Sequence, residues 1–119
     1  MVTIRQCRGA GTEHNKSLRQ YAHTYRIEGD VVCVTAAWKT IPIEYQMGLI
    51  AHEIGHLLAG NVEHPEKEAD RLAEMFFGIR IRYRNSSYGK RLQYLSDDDT
   101  NIVYGWVLDN AIFKHPLHP

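Results

Sequence analysis

The sequence predicts an α+β domain: a small, twisted, mostly antiparallel sheet packed against two consecutive helices. Three observations carry this expectation. Val31-Val32-Cys33-Val34-Thr35 is a β-branched run that follows a Glu28-Gly29-Asp30 turn signal. Met47, Ile50, Ala51, Ile54 and Leu58 recur with helical period, and Ala69, Leu72, Ala73, Phe76 and Phe77 do so again. Ile79 to Arg84 then returns to strict alternation.

The elements follow in order. Met1 to Arg8 reads as a first strand with Val2 and Ile4 on one face, broken by Gly9 and Gly11, and Thr12 to Lys16 is a polar loop. Leu18 to Ile27 alternates, with Tyr21, His23, Tyr25 and Ile27 on one side. With the run from Val31 it forms a hairpin leading into the first helix. His23 reads as a strand or surface histidine. Trp38, in the loop before the helix, reads as a core residue.

The first helix spans roughly Pro42 to Gly60. Proline suits a first turn, where a missing N–H costs nothing, and glycine suits a stop. It contains His52-Glu53-Ile54-Gly55-His56. Two histidines four apart lie one above the other on one helix face, so both imidazoles can reach one ion. Tyr45 and Leu49 share that face, nearly opposite the apolar stripe. Glu53 stands about 100° round the axis, out of easy ligand position but within reach of a water held on the metal. Such a carboxylate is placed to act as general base, which is the physical content of the His-Glu-x-x-His pattern. With seven histidines in the chain, such a triplet can also arise by accident, so a second feature is needed.

His64 to Gly78 supplies it. Pro65 marks a helix start and Gly78 a stop. Glu66 and Asp70 lie one turn apart on the edge of the apolar face, while Lys67, Arg71 and Glu74 take the solvent side. A carboxylate aimed at a core needs a partner, and a zinc ion is one. Glu66 then reads as the third ligand, and Asp70 as the acceptor for the other ring N–H of a ligating histidine. Glu63 and His64 are rival ligands. The plainer reading of Glu66 is that acidic residues favour first turns.

His-Glu-x-x-His followed by Glu-x-x-Ala-Asp resembles the gluzincin metallopeptidases, and is most similar to the small ImmA/IrrE-type proteins and the minigluzincins. The likeness covers roughly Pro42 to Gly78 and implies a zincin-like domain holding one zinc ion on His52, His56 and Glu66. It implies Glu53 as catalytic base and Asp70 as support. Minigluzincins are held inactive by a chain segment in the cleft, so by resemblance His115 or His118 of the tail is a candidate for the open zinc position. The metzincin pattern fails, because its glycine falls on Ala59 and its third histidine on Val62. No helix-turn-helix segment is evident.

After Gly78 the arginines at 80, 82 and 84 share one face, which reads as an edge strand with a solvated side. With Lys90 and Arg91 they suit a nucleic-acid patch, an acidic substrate, or internal pairs with Asp97, Asp98 and Asp99. Neutral net charge and the lack of a binding motif weigh against nucleic acid. Tyr88 to Leu95 reads as a short helix, and Asn101 to Phe113 as a last one, capped from Asp97 to Thr100. The remaining tail reads as frayed.

A chain of 119 residues with equal numbers of acids and bases fits one domain, residues 1–119, with one modest core. It carries no transmembrane run and no signal-peptide core, so a cytoplasmic location with Cys7 and Cys33 reduced is expected. The expected function is a zinc peptidase acting on a protein or peptide. The alternative is a silent or latent zinc-binding regulatory protein that binds a protein partner.

Overall fold

All four residues of the strand Val31–Val34 are buried, and this decides how the sheet is built. An alternating strand leaves one face to water, whereas a continuous apolar run is covered on both. The computed structural model describes residues 2–6, 22–25, 31–34, 36–60, 65–85 and 91–113. Strands β1 (Val2–Gln6), β2 (Ala22–Tyr25) and β3 (Val31–Val34) precede helices α1 (Ile43–Ala59) and α2 (Pro65–Phe77). Strands β4 (Arg82–Asn85) and β5 (Arg91–Tyr94), helix α3 (Asp97–Asn110) and strand β6 (Ala111–Phe113) follow.

The main sheet runs β2-β3-β1-β6. The β2–β3 hairpin forms as expected, with Ala22 opposite Val34 and Tyr25 opposite Val31. The sheet is not mostly antiparallel, however. β1 is parallel to β3 and parallel to β6, leaving one antiparallel pairing of three. The hairpin lies beside β1 through its second strand, which runs the same way as β1. The apolar β3 thus takes an inner place, as its uninterrupted composition requires.

Before α1, the 3₁₀ turn Ala36–Thr40 buries Trp38 in the core, as expected. Pro42 sits one position before α1 and not within its first turn; its carbonyl accepts from the N–H groups of Tyr45 and Gln46, both at 3.0 Å. Gly60 ends α1 at a positive φ of 70° and donates to the His56 carbonyl at 3.2 Å. Met47, Ile50, Ala51 and Ile54 enter the core, but Leu58 is exposed because the last turn runs past it.

α2 begins at Pro65, and Gly78 closes it with φ of 69°; the N–H groups of Gly78 and Ile79 both return to the Glu74 carbonyl. Ala69 and Ala73 are fully buried, while Phe76 is exposed on the surface end of the expected apolar face.

One later expectation is overturned, and another holds with shifted bounds. Residues 91–94 form a strand, not part of a helix: β5 pairs antiparallel with β4, and its backbone lies so close to Gly48 that a Cβ there would stand 2.8 Å from the Tyr94 Cα. The last helix starts earlier than expected, because Ser96 caps it by accepting from the Asp99 N–H at 3.2 Å. It stops at Asn110 because Ala111–Phe113 pair with Val2–Ile4 of β1, so tertiary pairing overrides the helical run. Its inward face is Thr100, Val103 and Val107. No described helix is long and apolar enough to cross a membrane.

Candidate metal centre

The centre is made by two helices whose backbones touch. A Cβ on Gly55 would lie 1.9 Å from the Ala69 carbonyl oxygen, so nothing larger than glycine fits at the crossing. Gly55 lies between His52 and His56, and Ala69 lies between Glu66 and Asp70. Close approach at this one pair therefore brings both carboxylates to His52, and Glu66 to His56 as well.

His52, 2 % exposed, has both ring nitrogens engaged. Its Nδ1 lies 2.6 Å from Asp70 Oδ1 and its Nε2 lies 2.8 Å from Glu66 Oε2. The other Glu66 oxygen, Oε1, is 3.1 Å from His56 Nε2. The two imidazole rings stand edge to face with centroids 4.6 Å apart. One carboxylate thus bridges two Nε2 atoms. Glu53 is buried beside them, and His52, Glu53 and His56 each offer a ligand atom, all within 4.8 Å of one another, so the group can hold a metal ion.

Glu66, outside that group, also stands at a spacing from the two imidazoles that a tetrahedral ion would need. A tetrahedral site with bonds of about 2.0–2.1 Å places its ligand atoms about 3.3 Å apart. The separations of 2.8 and 3.1 Å between Glu66 and the imidazoles need to open by only a few tenths of an ångström. The Glu66 side chain is 72 % exposed and has room to move.

The electrostatics follow from the crowding. Burial works against charge on His52, but hydrogen bonds to Asp70 and Glu66 and the nearby Glu53 charge outweigh it, raising its pKa to about 9. The metal-free ring is therefore an imidazolium donating from both nitrogens. Burial raises Glu53 to about 8 against the opposing charge of His52. Burial, and then the charge of His52, lower His56. The His52 hydrogen bond lowers Glu66. Were a cation to take the place of the Nε2 proton, Asp70 would still hold the ring through Nδ1–H.

One residue in this arrangement was missed in the sequence. The Tyr83 hydroxyl, from β4, donates to Asp70 Oδ2, so the carboxylate that orients His52 is itself anchored. Burial and the Asp70 bond both push the Tyr83 phenol up. Alternation marked Tyr83 as facing away from the arginines, but no local signal named its partner. Glu63 and His64, the rival ligands, lie outside the described residues, as do the tail histidines His115 and His118, and Cys7.

The fold and site thus define a small α+β domain whose crossed helices carry a histidine–glutamate cluster able to hold a metal ion. No protein family, curated protein or solved structure matches the chain.

Proposed function

We propose that this chain is a zinc-dependent peptidase in which Glu53 is the general base. The observation that carries the reading is the convergence of Glu66 on His52 and His56 from a second helix, at 2.8 and 3.1 Å. Surface histidines and first-turn acids have no reason to meet in this way.

Zinc, when bound, polarises a carbonyl and brings the pKa of a water toward neutrality. His52, His56 and Glu66 would hold it. Asp70 fixes the His52 ring through Nδ1, and Tyr83 fixes Asp70. Glu53 takes a proton from the attacking water. The water oxygen bonds to the peptide carbon, the carbon–nitrogen bond breaks, and Glu53 returns the proton to the leaving nitrogen. Burial raises Glu53 toward neutrality, which makes its carboxylate a stronger base than an ordinary one.

Metal analysis joined to a peptide-library cleavage assay tests this. The expected result is one zinc per chain and cleavage that Glu53→Gln abolishes while zinc stays bound. Stoichiometric zinc without cleavage of any peptide would replace the peptidase with the zinc-holding regulatory protein. Absence of zinc binding would remove both.

A further inference from the structure

We propose that the β4–β5 hairpin is the selective wall of this site, and that Arg91 selects peptides carrying an acidic side chain beside the bond to be cleaved. The inference rests on the peptidase reading for its catalytic part, and on the hairpin alone for its binding part.

Charge is segregated in this chain. From Met75 to Ser96 the sequence holds Arg80, Arg82, Arg84, Lys90 and Arg91 and no acidic residue, although the whole chain has net charge zero. The internal pairs expected with Asp97, Asp98 and Asp99 do not form among the described residues. Asp99 instead accepts the backbone N–H of Arg80 at 3.1 Å. Arg82, Arg84 and Arg91 are exposed, and no carboxylate pairs with them among the described residues. Three cations thus face solvent on one two-stranded ribbon.

Their side chains are nonetheless placed. The Arg91 guanidinium lies 4.7 Å over the Tyr83 ring, and that of Arg84 lies 5.5 Å over the Tyr94 ring. Stacking fixes a guanidinium by its face and leaves its edge donors open for a bidentate carboxylate. Tyr83 spans from Arg91 to Asp70, and Asp70 holds His52. Arg91 therefore stands one tyrosine away from the centre. Tyr94 packs on Tyr45, with centroids 5.5 Å apart, so β5 also follows the histidine face of α1. A polyanionic backbone running from Arg91 to the centre would meet the exposed Glu66 carboxylate, whereas a single substrate carboxylate need engage Arg91 alone.

The test is fluorescence anisotropy on zinc-loaded Glu53→Gln protein with two labelled peptides that differ only in glutamate for glutamine. A labelled single-stranded oligonucleotide of equal length is the third probe. The glutamate peptide is expected to bind about tenfold tighter at low salt. Arg91→Gln should bring the ratio near one. Arg82→Gln, on the opposite face of the ribbon, removes the same charge and should leave the ratio within about twofold. Equal affinity for both peptides, equal loss in both variants, or tighter binding of the oligonucleotide would each overturn the proposal. Wild-type protein that keeps this preference yet cleaves neither peptide would support the surface while removing the peptidase reading.

Discussion

Asp70 Oδ1 lies 2.6 Å from His52 Nδ1, across the crossing of α1 and α2. This bond leaves Nε2 as the nitrogen that faces Glu66 and the cluster. Replacing Asp70 with alanine should therefore lower zinc affinity by about 10–100-fold, the usual effect of losing such an outer partner. Competition against a chelator measures it; an affinity within twofold of wild type would remove Asp70 from the site.

Glu66 is the proposed third ligand, to be separated by experiment from its neighbours in sequence. Glu66→Gln should weaken zinc binding by about a hundredfold or more, while Glu63→Gln should change it by less than about twofold. The reverse ranking in the same chelator competition would transfer the third ligand to Glu63.

Gly55→Ala should be among the most damaging single-methyl additions in the chain. Its Cβ would meet the backbone of Ala69, not the end of a flexible side chain. The cost is expected at or above the top of the roughly 1–3 kcal/mol range for overpacking. A urea unfolding midpoint gives the loss. Zinc affinity should fall with it, because separating the helices also separates Glu66 from the histidines.

The metal-free protein should lose stability as pH rises from about 7 to about 9. His52 has a folded pKa of about 9 against an ordinary 6.5, so its contribution is fully present below 6.5 and is lost as pH rises through about 9. Glu53 is raised from 4.5 to about 8, so its contribution declines from about pH 4.5 and is gone above about 8, adding to the loss at the lower end of the range. On the proposed reading zinc would replace the Nε2 proton of His52, so zinc-loaded protein should lack most of this slope. Urea midpoints across the range, with and without chelator, compare the two forms; a flat metal-free profile would remove the imidazolium between Asp70 and Glu66.

The sequence made the site elements legible because their signals are local. Pro65, Gly60 and Gly78 punctuate the two helices where expected, and the four-residue spacings of His52 with His56 and Glu66 with Asp70 follow from helix geometry. Gly55 was read only as part of a motif; its role depends on Ala69, and sequence distance hides such a contact. Pairing in the sheet was harder for the same reason. Val31–Val34 carried its inner position in its uninterrupted apolar run, but nothing in Ala111–Phe113 announces β1 as a partner. Arg91–Tyr94 is likewise a strand because Arg84, Tyr83 and Gly48 are opposite it, not because of its own propensity.

The parallel pairing of β6 with β1 has a consequence for biosynthesis. Val2 meets Ala111 and Ile4 meets Phe113, so β1 cannot gain this neighbour during synthesis until residue 113 has emerged as well. During translation that flank of β1 has to be shielded or left waiting, while α1 and α2, adjacent in the chain, can already find each other. The helix pair that carries the histidine–glutamate cluster is thus free to assemble before the sheet beside it is closed.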